Sequence, residues 1–427
     1  MKYSIFFIPV FFLFVNGAGA QQLVLQQSHE TGIYRQGDTL RVIVAEAAAG
    51  TDSLLVSVRK NYSAALPEKI RYTGAGQLIF KELAAAPAAY IIEVQTAADT
   101  ASTGLVTDPG KFLPSTPRPG DFDAFWLSEK KQLRALPMAV KTRAVEKITA
   151  GFNCSDIEIN CNGNNPVRGY FAKPVDAQAV SLPIVLYVHA AGVKGSWCRS
   201  KPENALRYAA LGKGALCMDI NAHGMLNGQP EQYYDSLEAT VLKGYATQGV
   251  ESRSNFYFRG MYLRLIRALD FLTQQPEWDG RRILVLGESQ GGGQALVAAG
   301  LDERVGAVVA TVPAMCDWGA GLYGSRGGWP DPFQTKNDRQ RMLHTVPYFD
   351  AAHILKNAKA TIVAEIGLID YTCPPAGIYA ALNQAAGKKI ILAVPYRGHH
   401  LTQKRYKEIW EKEVYQVKEK FIKEYLQ

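Results

Sequence analysis

The run Gly287-Glu-Ser289-Gln-Gly291-Gly-Gly293 constrains this chain more than any other stretch. The apolar segment Ile283–Leu286 precedes it and an alanine-rich segment, Gln290–Ala299, follows it. A strand that turns directly into a helix brings two backbones so close that side chains do not fit between them, which is what the flanking glycines provide. In that context Gly-x-Ser-x-Gly predicts a serine on a strained turn, its hydroxyl standing above the edge of a sheet, as in the α/β-hydrolase fold. The other reading of the same letters is a glycine-rich turn with a capping serine.

The surrounding sequence supplies the sheet that such a turn requires. From residue 121 onward, apolar runs alternate with helical patterns. Pro183–His189, Ala215–Ile220, Ile283–Leu286, Val305–Val312, Ala360–Ile366 and Lys389–Val394 are predicted strands. Phe256–Thr273, Gln290–Ala299 and Pro375–Ala386 are predicted helices, the first with Tyr262, Leu265, Ile266 and Leu269 on one face. The segment Asp121-Phe-Asp-Ala-Phe-Trp126 opens a helix with Asp121 as its N-cap. A long amphipathic helix carrying Tyr406, Ile409, Trp410, Val414, Val417, Phe421 and Tyr425 closes the chain. This alternation implies a mostly parallel sheet covered on both faces.

Upstream the pattern differs. Residues 21–107 hold short β-type segments such as Leu40–Ala45, Ser53–Val58 and Ala89–Val94, separated by turns, and predict a small β-sandwich with no candidate catalytic cluster. Pro109, Pro114, Pro117 and Pro119 mark residues 108–120 as a stiff linker. The expected fold class is therefore α/β: an α/β-hydrolase domain over 121–427, preceded by a small all-β, sandwich-like domain. A chain of 427 residues is long enough for both.

Residues 1–20 read as a secretory signal peptide. Lys2 is followed by the apolar run Ile5–Val15 and by the small residues Ala18-Gly-Ala20. A membrane anchor is the alternative, but the run is short for a span. The expected location is secreted or periplasmic, with no membrane association after cleavage. The net charge of +8 arises from scattered basic residues and does not point to nucleic acid. Six cysteines in an exported chain permit disulfides. Cys154 and Cys161, if on one strand, would sit about 23 Å apart, where a disulfide needs Cα atoms about 6 Å apart. Cys217 is expected to be a buried thiol. No cysteine or histidine spacing suggests a metal site, and no cofactor is expected.

A serine hydroxyl needs a base to become a nucleophile, and the base needs an acid to hold its tautomer. In chain order the acid should follow the serine and the histidine should come last. Asp370 follows the strand Ala360–Ile366, and His399 follows the last strand, both at carboxyl ends where open α/β sheets place their sites. A helix cap before Pro374 is the other reading of Asp370, and His400 is the competing base. The oxyanion donors are expected to be the amides of Gln290 and Ala191, the latter in the loop His189-Ala-Ala191-Gly192. Trp197, Trp318 and Tyr323 are candidates for stacking on sugar rings, with lid packing as the alternative. The spacing Gly319-x-Gly321-x-x-Gly324 resembles a dinucleotide fingerprint, but it does not open a helix after a strand and reads as a loop.

Several of these segments together resemble carbohydrate esterase family 7, the acetyl xylan esterases and cephalosporin C deacetylases. The similarity rests on Ser289-Gln-Gly-Gly-Gly293, Asp370-x-x-Cys-Pro-Pro375, Pro395-Tyr-x-x-His399, Asp121-Phe-Asp-Ala-Phe-Trp126 and Arg282-Ile-Leu-Val-Leu-Gly287, and covers about residues 108–427. It implies removal of acetyl groups from small acetylated carbohydrates, with Ser289, Asp370 and His399 as the triad. Three segments depart from the family pattern. His189-Ala-Ala191 stands where the family has His-Gly-Tyr, Asn221-Ala-His223-Gly224 where it has Arg-Gly-Gln-Gly, and His400 where an acid follows the histidine. These departures bear on substrate preference and on the family's ring-like oligomer; a homo-oligomer is left open. The competing functions are a serine peptidase of the prolyl-oligopeptidase type and a catalytically weak scaffold that binds glycans.

Overall fold

The computed structural model describes residues 22–427 apart from 147–148, 163–164, 336, 357 and 402. The expected signal segment lies outside the described residues.

The N-terminal part consists of two sheets. One contains Val24–Gln27, Thr39–Glu46 and Gln77–Leu83 in spatial order. The other contains Ile33–Tyr34, Thr100–Thr107, Ala88–Gln95, Ser53–Lys60 and Glu68–Arg71. Alternate residues point inward, so Leu40, Val42 and Val44 of one sheet share a core with Leu54, Ile92 and Leu105 of the other. The outward residues Thr39, Arg41 and Ile43 are not fully buried.

The remainder is built on a nine-stranded sheet. Its spatial order is Lys389–Val394, Thr361–Gly367, Ala307–Thr311, Trp278–Glu288, Leu182–Val188, Leu216–Ile220, Val167–Pro174, Phe152–Ile159 and Lys141–Ala144. The first six are parallel to one another, and the last three add antiparallel pairs at one edge. Both faces are covered. Ile184, Leu186 and Val188 pack into the cluster that holds Tyr262, Leu265 and Leu296 of the helices Tyr257–Leu272 and Gln290–Leu301. Val185 and Tyr187 face the opposite cluster with Tyr208 and Ile422, from the helices Pro202–Ala209 and Gln416–Tyr425. Chain direction across the sheet reverses around Leu182–Val188, so the loops after Val188 and after Glu288 leave adjacent strands side by side. Such a switch point is where open α/β sheets carry their sites.

Some local expectations need correction. Asp121 does occupy the N-cap of the helix Phe122–Ala135, but its carboxylate makes no capping bond. It pairs instead with Arg253 at 2.9 Å and with the Tyr348 hydroxyl. The closing helix is not continuous. A 3₁₀ turn at Lys404–Tyr406 and an α turn at Lys407–Trp410 lead into a π-helical turn, Glu411–Tyr415, before the helix Gln416–Tyr425. The wide turn leaves Trp410 with the charged groups of both Arg397 and Lys418 near its ring, each 5.6 Å from the centroid. Gly319–Tyr323 lie in a 3₁₀ helix, Trp318–Tyr323, with Gly324 as its C-cap, and the buried Asp350 carboxylate accepts the amides of Asp317 and Trp318 at its start. All six cysteines are buried free thiols, with Cys154 and Cys161 in different core clusters.

Trp126 joins the first helix to the core. It is 2% exposed, its indole N–H donates to the Tyr348 carbonyl at 2.9 Å, and its ring meets Phe125 and Phe349 edge-on. Truncating a buried tryptophan removes both transfer energy and packing. Trp126→Ala is therefore expected to destabilise the protein by about 3–5 kcal/mol. Urea unfolding should show a lowered midpoint at an unchanged slope.

Candidate active site

The strand Trp278–Glu288 ends directly at Ser289, whose φ of 56° and ψ of −119° are strained for a residue with a side chain. The neighbourhood over-determines this conformation. The Ser289 amide donates to the Thr311 carbonyl, and the Ser289 carbonyl accepts from Gly293 and Ala314, each at 2.9 Å. The glycines are required by contact. A Cβ on Gly291 would lie 2.3 Å from the Val188 carbonyl oxygen, and one on Gly287 would lie 2.6 Å from the same atom.

His399 lies between the other two members of the expected triad. Its Nδ1 is 2.9 Å from Asp370 Oδ2 and its Nε2 is 2.9 Å from Ser289 Oγ. Nδ1–H donated to the carboxylate leaves Nε2 free to accept the serine proton, the arrangement needed for base-assisted attack. His400 packs its ring edge-on against His399, at 5.2 Å between centroids, and does not bridge the pair. Asp370 is fully buried and uses both oxygens. Oδ2 faces His399, while Oδ1 accepts the amides of Thr372 and Cys373 at 2.7 and 2.9 Å. The capping role and the histidine-orienting position thus coexist on one carboxylate.

Of the two expected oxyanion donors, the Gln290 amide directly follows the serine, and Ala191 lies in the loop after the adjacent strand Leu182–Val188. The Gln290 amide is the first of its helix, where amides have no intrahelical partner. The loop 189–192 enters from the neighbouring strand and is braced on three sides. Buried His189 pairs with Asp219 through Nε2 and faces the Trp197 carbonyl at 3.1 Å through Nδ1. The Trp197 indole donates to the Ala191 carbonyl at 3.1 Å. His223 Nε2 lies 3.0 Å from the Gly192 carbonyl, and Tyr257 OH lies 2.8 Å from Nδ1. Burial, assisted by the Arg264 charge, lowers the His223 pKa to about 3. It is therefore a neutral prop with its proton on Nε2. The segment that replaces the family's Arg-Gly-Gln-Gly thus holds the loop with an imidazole.

The aromatic candidates divide. Trp318 is fully buried, packed on Phe256 and Phe258, with its indole donating to the Trp329 carbonyl. It is a core residue and presents no face to a sugar, which corrects its assignment to substrate binding. Trp197 and Tyr323 are 65% and 71% exposed. Asp370, Cys373 and His399 also bring three metal-type donor atoms within 4.8 Å of one another. Asp370 and His399 already bond each other, and burial raises the Cys373 thiol well above its ordinary pKa, which keeps it protonated. That donor set suits the triad better than a cation.

The sequence profile of the acetyl xylan esterase (AXE1) family matches residues 106–421. The chain belongs to the acetyl xylan esterase family. Ser289, Asp370 and His399 fall inside the matched span, and all of the N-terminal sandwich but the end of its strand Thr100–Thr107 falls outside it. Acetyl esterase Axe7A of Xylanibacter ruminicola is 32% identical over 298 residues, covering 69% of this chain and 66% of that protein. The chain thus spans just under two thirds of that relative. Among solved structures, the acetyl xylan esterase from Paenibacillus sp. R4 is similar, with a TM-score of 0.59 and 27% identity over 74% of this chain and 98% of its own. Acetyl xylan esterase 1 from Thermoanaerobacterium sp. JW/SL YS485 shares the fold, with a TM-score of 0.60 at 21% identity, covering 75% of this chain and 98% of its own.

One cluster beneath this family site was not legible in the sequence. Glu365, wholly buried, accepts from Arg397, from Lys418 and from the Trp410 indole, the last at 2.6 Å. Arg397 also reaches Glu288 at 3.2 Å, and Lys418 reaches the Thr311 hydroxyl at 2.9 Å. Arg397 is two residues before His399, Glu365 five before Asp370, and Glu288 adjoins Ser289. No motif marks charged residues that meet only in the fold. Glu365→Ala would leave two buried cations without their carboxylate, at a cost of about 3–5 kcal/mol. Chemical denaturation of the variant beside wild type should register that loss.

Proposed function

We propose that this chain is a serine carboxylic-ester hydrolase that removes acetyl groups from short acetylated xylo-oligosaccharides or similar small acetylated carbohydrates, through an acyl-enzyme. The observation that carries the reading is the hydrogen-bonded chain from Asp370 through His399 to Ser289, each link 2.9 Å, on an elbow inside the family-matched span. Ser289 attacks the acetyl carbonyl while His399 takes its proton. Asp370 orients the imidazole and stabilises the imidazolium. The amides of Gln290 and Ala191 stabilise the oxyanion. His399 then gives that proton to the sugar oxygen as the ester C–O bond breaks, and it next takes a proton from a water that attacks the acetyl-serine, so that the Ser289 Oγ–carbonyl bond breaks and acetate leaves. The replacement of the family's tyrosine by Ala191 leaves the backbone donor in place and widens the acyl side of the pocket. Exposed Trp197, whose indole anchors the Ala191 carbonyl, and exposed Tyr323 are proposed to contact the sugar. The signal-like first twenty residues support export to the periplasm or beyond.

The test is acetate release from acetylated xylo-oligosaccharides and from 4-nitrophenyl acetate, for wild type and Ser289→Ala. Wild type is expected to act on both, and the variant to lose activity by roughly 10⁴-fold or more. Hydrolysis of the nitrophenyl ester alone would move the natural substrate away from xylan fragments. Full activity in Ser289→Ala would overturn the nucleophile.

A further inference from the structure

The N-terminal sandwich touches the loops of two triad members. In the loop after the strand Ser53–Lys60, the Tyr62 hydroxyl donates to the Asp370 backbone carbonyl at 2.9 Å, across 308 residues of sequence. The Tyr62 ring meets Tyr371 edge-on at 5.7 Å, and the Arg59 guanidinium lies 5.8 Å from the centroid of that same ring. Asn61 and Tyr62 both adopt left-handed backbone, with φ of 49° and 63°, an arrangement that costs free energy for residues with side chains. The Asn61 carbonyl accepts the Ser325 hydroxyl at 3.3 Å. The Tyr62 hydroxyl titrates well above its ordinary range, burial being the main cause and the Asp370 charge the next. It remains a donor at any working pH.

The second contact is backbone to backbone. Gly104, in the strand Thr100–Thr107, donates to the Pro395 carbonyl at 2.7 Å, four residues before His399. Its Cα lies so close to the acid loop that a Cβ would stand 2.4 Å from the Leu368 carbonyl oxygen, two residues before Asp370. Gly32 approaches both loops in the same way. A Cβ there would lie 2.8 Å from Leu368 Cδ1 and 3.1 Å from Pro395 Cγ. Further along, Gln403 reaches the Ser102 carbonyl at 3.4 Å, and Arg405 bonds Asp99 and the Leu23 and Thr100 carbonyls. One strand and two loops of the sandwich thus contact the segments that carry the acid and the histidine.

We infer that the N-terminal sandwich is a structural part of the active site, and that Tyr62 is a positioning residue which holds Asp370 through its backbone carbonyl. The inference rests on the serine-esterase reading above. Triad catalysis is sensitive to the placement of the acid, because a tilted carboxylate no longer holds the imidazole in line with the serine. The contribution of Tyr62 is therefore made at the transition state, and substrate affinity is left alone.

The experiment compares Tyr62→Phe with Tyr90→Phe in the full chain. Tyr90 supplies the comparison because its hydroxyl bonds Glu82 inside the same sandwich, away from the triad. Each variant removes one oxygen. Kinetics with 4-nitrophenyl acetate, the rate of Ser289 labelling by a fluorophosphonate, and the melting temperature are measured for each. Tyr62→Phe is expected to lower kcat by roughly five- to twentyfold at unchanged KM, with labelling slowed in parallel. Tyr90→Phe is expected to lower the melting temperature without changing kcat, KM or labelling. Wild-type kcat in Tyr62→Phe would overturn the inference, and so would losses in both variants that track melting temperature. Failure of the wild type itself to label or to release acetate would overturn the esterase reading first, and this inference with it.

Discussion

The site depends on a carboxylate placed where water does not reach it. Glu365 sits at the carboxyl end of an interior strand, and its oxygens are shared by Arg397, Lys418 and Trp410. A buried charge is costly unless its partners are fixed, so the cluster tolerates few arrangements. Replacing such a cluster with apolar residues of matched volume is often neutral or stabilising, so its presence is weak grounds for global stability. Its geometric consequence is firmer. Arg397 spans from Glu365 to Glu288, which links the histidine loop to the strand leading to Asp370 and to the residue before Ser289. The segments that carry the three members of the expected triad, from three strands, are tied by one guanidinium. The π-helical turn at Glu411–Tyr415 belongs to the same arrangement, because it leaves Trp410 in reach of both cations.

Legibility in the sequence followed the range of the interactions involved. The elbow is a local object: its glycines, its serine and the flanking apolar runs lie within a few residues, and the same contacts that make it necessary make it readable. Asp370 and His399 were reachable because each directly follows a predicted strand and chain order restricts the choices. The residues alone left His400 open as the base, and the preference for His399 rests on the family resemblance of Pro395-Tyr-x-x-His399. The fold class followed from the alternation of apolar runs with helical patterns, since strands buried on both faces cannot hide that composition.

Where reading failed, a distant partner had won over a local preference. Asp121 stands at a helix start, yet Arg253 and Tyr348 take its carboxylate from the amides it was expected to cap. Trp318 lies in a loop region rich in glycine, which suggests an exposed stacking platform. The Asp350 carboxylate coils that region inward and buries the ring. The amphipathic pattern over the last helix placed Val414 inward correctly, but Ile409 and Val417 are exposed while Lys418 and Ile422 are buried, because the wide turn at Glu411–Tyr415 shifts which side faces the sheet. Tyr62 is the extreme case. Its partner lies 308 residues away, and it stands in a segment that shows no chemistry when read alone.

The loop at His189–Gly192 carries an alanine where the family resemblance has a tyrosine, and its path is fixed by side-chain bonds. An oxyanion donor is a backbone amide, so what must survive substitution is the path of the chain. Here that path is held by side chains around and at the entry of the loop. His223 grips the Gly192 carbonyl, the Trp197 indole grips the Ala191 carbonyl, and the His189–Asp219 pair anchors the entry. Every one of these bonds involves a side chain that points at backbone or at a buried partner, and none needs a ring at position 191. A change at His223 or Trp197 would remove a bond that holds this path, whereas a change of side chain at position 191 leaves all of these bonds in place.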